Sequence, residues 1–254
     1  MNRPSQIGAQ EGLRGETLAR QRSGSWLLDH YFYFFMSLLI AAVVIFGFSQ
    51  TIDKKLLHPT PPRPIVLYVH AIVFFGWVFL FMLQSALVRT RMIRWHRRIG
   101  WFGVGLGAAV VGVGVCTAVA MARFNSANLL ARYPEANLLV SFFDIAAFTV
   151  PFVLSIVWRA DAEKHRRLQL MACCALTSAA FGRFPPPFVA FGTLYLGVDF
   201  LILLAAGRDL LVSRRIHPVY LFGLPSFAFC QAFVLYTVKH HSAWFIRAAR
   251  FVIG

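Results

Sequence analysis

The chain has 254 residues, of which 58% are hydrophobic and only 14% charged, and its formal net charge is +15. Soluble domains carry about 25% charged residues, so this composition predicts an integral membrane protein. Apolar segments take up most of the chain and leave only short loops between them, which excludes a soluble catalytic, nucleotide-binding or DNA-binding domain within these residues.

Segments of roughly 18 or more apolar residues are candidate transmembrane helices, because about 20 residues at about 1.5 Å each cross the hydrocarbon core. The sequence contains seven, in chain order Tyr31–Gln50, Ile65–Val88, Ile99–Met121, Leu138–Trp158, Leu168–Phe184, Phe188–Ala206 and Val219–Val238. We therefore predict an all-α polytopic membrane protein, a bundle of seven transmembrane helices. The fifth segment is the shortest, so six spans plus a re-entrant segment is the alternative.

The predicted bundle occupies residues 29–238 and lies between two segments of different character. Residues 1–28 are too polar for a signal peptide and predict a disordered cytoplasmic segment. Residues 239–254 combine cations with aromatic side chains, which predicts an amphipathic helix lying in the membrane interface.

Lys and Arg residues are distributed unevenly between the two sides of the predicted bundle. They concentrate in residues 1–28, Arg89–Arg98, Arg159–Arg167 and Arg208–Arg215, which all fall on one side. Cytoplasmic loops carry the excess of Lys and Arg, so we predict a cytoplasmic N-terminus. Cations placed beside apolar segments predict contacts with acidic lipid headgroups and not with nucleic acid.

The tripeptide His-Arg-Arg occurs twice, at residues 96–98 and 165–167, and an apolar segment follows each time. The arginines are explained as topology signals in two cytoplasmic loops. Imidazole is a ligand of haem and of transition metals, so His96 and His165 predict a haem or metal site, with haem b as the candidate cofactor. The alternative is that both histidines are ordinary residues of the membrane interface.

Four ionisable residues fall inside the predicted spans, where a charge is costly and each such group is a candidate functional residue. His70, Asp144 and Arg183 lie at a similar level near the outer ends of three spans, and Asp199 lies near the middle of a fourth. The first three predict either a structural ion pair or an outward-facing polar pocket, and Asp199 is a further candidate for that pocket.

The second span adds Trp77 and Gln84 to the candidates for this pocket. His70, Trp77 and Gln84 are spaced by seven residues, so they fall on one stripe of the helix. In such a pocket His70 would exchange protons, because imidazole titrates near about pH 6.5. Arg183 would bind an anionic or carbonyl group, and Asp144 would orient one of them. An interior helix face that needs two hydrogen bonds is the structural alternative.

The third span contains six glycines, of which Gly103 and Gly107 form a GxxxG face. Small residues four apart let helices approach closely, which predicts a central helix packed on several neighbours. A groove left open for a flat ligand such as a porphyrin or a quinone is the alternative.

The segments YVHAIVFFGWVFLFMLQSALVRTRMIRWHRRIG and KHRRLQLMACCALTSAAFGR resemble a group of bacterial multipass membrane proteins with HRRxG and HRRL/HKRLM-type motifs. The resemblance covers roughly residues 65–200. It implies a multipass protein of the bacterial inner (cytoplasmic) membrane but no activity. Its motif positions correspond to His70, Gln84, His96, Arg97, Gly100, His165, Arg166, Leu168, Met171 and Arg183. The spacing of HRRLQLM departs from the usual pattern at Met171. A more distant similarity to cytochrome b561-like bundles implies haem.

Three functions are compatible with these observations. The first is binding of a small molecule or a proton in an outward-facing pocket within the membrane. The second is electron transfer linked to b-type haem or a quinone, and the third is a structural or accessory subunit. Each of them is compatible with a homo-oligomer, and the sequence does not decide whether the protein is an enzyme.

Overall fold

The computed structural model describes residues 29–130, 133–185 and 193–253, and this part of the chain is helical without a β-strand. Its helices are α1 (Asp29–Ser49), α2 (Ile65–Arg89), α3 (Ile93–Ala127), α4 (Pro134–Val157), α5 (Ala162–Ala175), α6 (Ser178–Phe181), α7 (Thr193–Ser213), α8 (Pro218–Lys239) and α9 (Ala243–Ile253). One π-helical turn, Asp53–Leu57, lies between α1 and α2. Residues 1–28, predicted to be disordered, lie outside the described residues.

Within the described residues, five helices are long and apolar enough to cross a membrane, namely α1, α2, α3, α4 and α8. The other two predicted spans differ from these. α5 has 14 residues, which extend about 21 Å and are too short for a hydrocarbon core of about 30 Å. α7 has 21 residues but contains three charged ones, Asp199, Arg208 and Asp209. The described part of the chain is thus all-helical, and several of its helices are apolar enough to span a membrane, as expected of a membrane protein.

Both His-Arg-Arg tripeptides lie on helices and not in the loops that the sequence analysis predicted. α3 begins at Ile93, so residues 96–98 belong to its first turns. α5 begins at Ala162, so residues 165–167 belong to its first turns as well. We call this end of the bundle the arginine end. The opposite end, where α2 begins at Ile65, is the cavity end.

Asp161 fixes the start of α5. Its side chain accepts hydrogen bonds from the backbone N–H groups of Glu163 at 3.0 Å and Lys164 at 3.1 Å, as an N-cap residue does. The Lys164 ammonium lies 3.0 Å from the same carboxyl group. The hydrogen bonds from Lys164 hold the pKa of Asp161 below its usual range, because they favour the charged form.

α5, and not the glycine-rich α3, occupies the centre of the bundle. From Leu168 to Ala175 every residue except Gln169 is buried. The helix contacts α4, α7 and α8, so it has neighbours on several sides. Its second half, Met171-Ala-Cys-Cys-Ala175, consists of small or flexible apolar side chains, which suit a helix that is buried all round.

The GxxxG face of α3 is a close packing surface. A Cβ atom on Gly107 would lie 2.2 Å from the Phe152 ring of α4, and one on Gly103 would lie 3.2 Å from the Leu80 side chain of α2. A Cβ atom on Gly105 would have no such neighbour within 4 Å. The GxxxG glycines are therefore needed for contact, because the neighbouring side chains lie directly on the backbone of α3.

A buried ion cluster joins α1, α5 and α7 at the arginine end. Arg167 donates from Nε and Nη2 to the two carboxylate oxygens of Asp209 at 2.7 and 2.8 Å. Arg208 donates to the same carboxylate at 2.8 Å and also pairs with Asp29. Arg167 and Arg208 are each 2% exposed and Asp209 is fully buried. Glu163 completes the cluster with a 2.5 Å contact to Arg167.

This cluster corrects the interpretation of two cations. The sequence analysis treated Arg167 and Arg208 as topology signals in cytoplasmic loops, but both are buried in helices and engaged in ion pairs. Their partner Asp209 is 42 residues from Arg167, so local sequence gives no sign of the pair. Arg97 and Arg98 of the first tripeptide are exposed, as a topology signal should be. The two tripeptides therefore have different roles.

The C-terminal segment forms the amphipathic helix α9. Phe245 and Ala249 are buried against residues of α3 and α4, whereas Phe251 is 90% exposed. Arg123 of α3 donates to the Val252 carbonyl from Nε at 3.1 Å and from Nη2 at 2.8 Å. A cation at the last turn satisfies carbonyl groups that have no partner within the helix, so it fixes the end of α9.

We expect Gly107→Ala to destabilise the protein by about 1–3 kcal/mol, because the added methyl group overlaps the Phe152 ring in a filled core. Gly105→Ala is the matched control on the same helix. It should be neutral or stabilise by up to about 1 kcal/mol, because alanine has the higher helix propensity. The measurement is unfolding in detergent micelles by titration with a denaturing detergent. Equal stabilities of the two variants would contradict the packing of α4 on α3.

We expect Asp209→Asn to destabilise the protein by about 3–5 kcal/mol, because Arg167 and Arg208 would keep their charges without the shared carboxylate. Replacing Asp209 and Arg167 together by leucine and methionine should recover much of that loss, since the pair is removed as a unit. Arg97→Met should change stability by no more than about 0.5 kcal/mol, because its side chain is exposed. The same unfolding titration measures the stability of all three variants. If Arg97→Met lost as much stability as Asp209→Asn, the distinction between the buried ion cluster and the exposed arginines would be wrong.

Candidate functional site

A cavity of about 700 Å³ opens at the cavity end of the bundle. This volume lies within the range of roughly 300–1,000 Å³ that small-molecule sites occupy. Four residues of the predicted pocket line it, namely His70, Trp77, Asp144 and Arg183. They come from α2, from α4 and from the segment after α6, so the fold brings together side chains that are far apart in the sequence.

His70 and Trp77 form the α2 side of the cavity. The His70 ring stacks on Phe74 with the ring centroids 3.9 Å apart. The Trp77 indole packs edge-on against Phe148 at 5.2 Å and Phe152 at 5.4 Å. Among the described residues, His70 Nδ1 is buried and has no hydrogen-bond partner, whereas the Trp77 indole lies beside the Cys173 thiol. Such an atom as His70 Nδ1 costs about 1–3 kcal/mol when unsatisfied, so it is suited to bind a polar group of a ligand.

Asp144 is held in place by the first residue of α6. Its Oδ2 accepts a hydrogen bond from Ser178 Oγ at 2.6 Å. Tyr195 of α7 lies beside Asp144. Within the described part of the chain, Asp144 forms no ion pair with His70 or Arg183, so the structural ion pair considered above is not found there.

Arg183 also lines the cavity, just after α6. Its guanidinium lies over the Phe48 ring of α1, 4.4 Å from the centroid, and it donates a hydrogen bond to the Ala179 carbonyl. Its buried Nε has no partner among the described residues. The aromatic ring and the carbonyl orient the guanidinium and leave part of its donor capacity for a ligand.

Two further cations line the cavity, Lys55 and Arg63. Lys55 lies in the π-helical turn, and Arg63 donates to the Asn125 side chain at 3.4 Å. Burial, together with the positive charges of Arg183 and Arg63, lowers the pKa of Lys55. The sequence analysis missed both residues because it assigned them to an outer loop. The sequence feature that could have indicated them is the cluster of cations and prolines directly before the second span.

Asp199 and Gln84, also predicted for the pocket, do not line this cavity. Asp199 of α7 accepts a hydrogen bond from Gln231 Nε2 of α8 at 3.0 Å. Gln84 is 14 residues after His70 on α2, which places it about 21 Å further along the helix and near the arginine end. The seven-residue spacing predicted a common stripe correctly, but the stripe is longer than the cavity.

Gln84 contacts the first His-Arg-Arg tripeptide instead. With its amide nitrogen turned towards α3, Gln84 donates to His96 Nδ1 at 2.5 Å and to the His96 carbonyl at 3.2 Å, and it accepts from the Gly100 N–H at 3.0 Å. This orientation is assigned from the hydrogen bonds that it allows. The amide thus bridges one turn of α3, and it explains structurally why His and Gly stand four residues apart in the HRRxG motif.

His96 and His165 lie close together, with ring centroids 6.3 Å apart. His165 donates from Nδ1 to the Ser155 carbonyl at 2.8 Å, which leaves the Nε2 lone pair for another partner. His96 accepts at Nδ1 from Gln84, so in the neutral ring the proton is on Nε2. A metal-bound histidine needs a lone pair on the ligating nitrogen and usually donates from the other. With this hydrogen bond in place His96 would need its other tautomer to ligate a metal through Nε2, and the haem or metal site of His96 and His165 stays a prediction.

Comparison with other proteins adds no assignment. No family model matches the chain, and neither a curated protein nor a solved structure matches it. In the described residues, no group of three or more His, Cys, Asp or Glu side chains could hold a metal ion. The resemblance to the HRRxG group therefore stays a prediction, and the cavity is the feature from which a function has to be inferred.

The contacts of Asp144 predict the result of two double-mutant cycles. Asp144→Asn and Ser178→Ala should show a coupling energy of about 1–2 kcal/mol, because they remove the same charge-assisted hydrogen bond. Asp144→Asn and Arg183→Gln should be additive within about 0.5 kcal/mol, since no shared contact joins them. Unfolding titrations of the single and double variants measure both. A larger coupling energy for Asp144 with Arg183 than for Asp144 with Ser178 would indicate an Asp144–Arg183 ion pair instead.

Proposed function

We propose that this chain is a seven-span protein of the bacterial inner membrane that binds a small molecule or a proton in a cavity open to the periplasm. In this proposal the arginine end and the N-terminus lie in the cytoplasm, because exposed cations such as Arg97 and Arg98 concentrate there. α5 with α6 forms an interrupted fifth span and α7 the sixth. The amphipathic α9 lies in the periplasmic interface, and the arginine end contacts acidic lipid headgroups.

The observation that carries this proposal is the convergence of four residues on one space. His70, Trp77, Asp144 and Arg183 are unusual members of apolar segments, and all four line the same cavity of about 700 Å³. Ionisable groups within a membrane protein are costly unless they pair with one another or serve a ligand. No ion pair between His70, Asp144 and Arg183 is found in the described part of the chain, which supports a ligand.

Each residue has a role that its contacts support. His70 offers a buried ring nitrogen that can accept or donate a proton. Arg183 binds an anionic or carbonyl group with the donors that its own contacts leave free. Asp144 is fixed by Ser178 and orients the ligand or His70. The interrupted α5–α6 span contributes backbone groups to the wall, as broken helices do at the binding sites of many membrane transporters.

The other two functions have less support. Electron transfer through haem requires a pair of ligating histidines, and the hydrogen bond from Gln84 to His96 opposes that role. An accessory subunit without a site of its own does not explain a cavity lined by costly polar groups. Membership of the HRRxG group fits the proposal, since Gln84, His96 and Gly100 meet at one turn.

The orientation and accessibility of the cavity can be tested with Ser141→Cys, which places a thiol on the cavity wall. The background is a chain in which the four native cysteines are replaced by alanine. A membrane-impermeant methanethiosulfonate added to intact spheroplasts should modify this thiol, because the cavity opens to the periplasm. After this step the protein is treated with a fluorescent maleimide, and a thiol that the methanethiosulfonate has already modified no longer becomes fluorescent.

Ser213→Cys is the matched control, because Ser213 is exposed at the arginine end. It should react only after the spheroplasts are lysed. If the Ser141 variant also reacts only after lysis, the proposed orientation is wrong. If it reacts in neither condition while gel filtration shows a folded protein, the cavity is closed to solutes and the binding proposal fails.

A further inference from the structure

We propose that the ligand of this cavity is an amphipathic anion, with a carboxylate or phosphate head on a single elongated apolar body. The inference rests on the proposed function, because it assigns a ligand class to the same cavity. It depends on three observations: the imbalance of charge in the lining, the position of the cations at one end, and the length and apolar character of the remaining wall.

The lining carries an excess of positive charge. Among its described residues, Lys55, Arg63 and Arg183 are cations, and Asp144 is the single acid. Asp144 accepts from the Ser178 hydroxyl, and no carboxylate of the described chain pairs with the three cations. Lys55 is exposed, and Arg63 and Arg183 are half-buried. Cations gathered at a cleft with apolar walls focus their field, attract anions and repel other cations. This charge therefore selects an anionic head group and rejects amines.

The three cations all lie at the mouth of the cavity. Lys55 is in the turn between α1 and α2, Arg63 lies two residues before α2, and Arg183 lies two residues after α6. The lowered pKa of Lys55, caused by burial and by the two arginines, agrees with cations that crowd one another without a counter-charge. A carboxylate or phosphate placed between them would relieve this repulsion and accept bidentate hydrogen bonds from the guanidinium groups.

The cavity is long, and although uncharged polar side chains such as Thr117, Asn137 and Ser141 line part of it, apolar side chains line the rest. Along α2 its lining runs from Leu67 to Phe81, a distance of about 21 Å at about 1.5 Å per residue. The deeper wall is aliphatic and aromatic, with Ile40, Phe74 and Trp77 among its residues. A volume of about 700 Å³ over this length leaves a narrow slot. Sugars and nucleotides do not suit such a wall, because their polar groups would be buried without partners.

The test uses 9,10-dibromostearate, whose bromine atoms quench tryptophan fluorescence at short range. In a neutral maltoside detergent the acid should quench Trp77 with a saturable dependence on concentration. The chain has six tryptophans, so Trp77→Phe identifies the part of the signal that comes from the cavity. The methyl ester of the same acid has the same chain without the charge, and it should need at least about a tenfold higher concentration, as loss of one ion pair predicts.

Variants of the cations test the assigned head-group site. Lys55→Gln, Arg63→Gln and Arg183→Gln should each raise the half-maximal concentration of dibromostearate about three- to tenfold. Arg183→Lys should retain binding in part, which separates loss of charge from loss of fold. Lys239→Gln is the matched control, since Lys239 is an exposed cation at the end of α8 and does not line the cavity. It should leave the half-maximal concentration unchanged.

A second arm distinguishes the two sources of such an anion. The protein is placed in nanodiscs that contain phosphatidylglycerol with brominated acyl chains. Quenching of Trp77 by this lipid identifies a membrane phospholipid as the occupant, and its absence together with binding of the free acid identifies a soluble amphipathic acid. Both results support the proposed chemistry.

Two results would overturn the inference. If the methyl ester binds as tightly as the acid, the slot recognises only the apolar body. If neither compound quenches Trp77 while the Ser141→Cys variant is still labelled from the periplasm, the cavity is open but its ligand belongs to another class. Failure of that labelling would instead refute the proposed function itself, so the two failures are distinguishable.

Discussion

The bundle depends on a charge arrangement that apolar packing alone would not produce. Arg167 and Arg208 share the carboxylate of Asp209 inside the protein, and Asp29 extends the cluster to α1. Buried charges are tolerated only when each has a partner with good geometry, so the positions of α1, α5 and α7 are tied to one another. The walls that these helices contribute to the cavity at their other ends are therefore held in register. Fixing the arginine end in this way makes a preformed cavity possible.

The two ends of the bundle differ in whether their cations have acidic partners. At the arginine end the buried cations have acidic partners within the protein. At the cavity end Lys55, Arg63 and Arg183 face a lining whose described residues include one acid, Asp144. This contrast is the physical basis of the proposed function, because no carboxylate in the described part of the chain pairs with the three cations of the second group. Apolar side chains such as Trp77 and Phe81 then select a ligand whose remaining part is apolar.

Much of this arrangement could be predicted from the sequence, because charges inside apolar segments are visible there. His70, Asp144 and Arg183 were identified in this way, and the structure places them around one space. Lys55 and Arg63 could not be identified by this criterion, because the sequence does not distinguish a loop cation that faces water from one that lines a cavity. The pairing of Arg167 with Asp209 was hidden by a separation of 42 residues. Hydropathy also predicted a fifth span without revealing that its helix ends at Ala175, because the interruption contains no proline or glycine.

That interruption has a consequence for how water and solutes reach the interior. At the break the hydrogen bonding tightens, with the Thr177 N–H donating to the Cys174 carbonyl at 3.0 Å, and residues 176–179 line the cavity. Irregular backbone cannot face lipid tails, so a break within a membrane span is tolerated only where it is buried in protein or lines a cavity. The broken helix and the cavity beside it are therefore linked. A mutation that restored a continuous helix here would change the part of the cavity wall that residues 176–179 form.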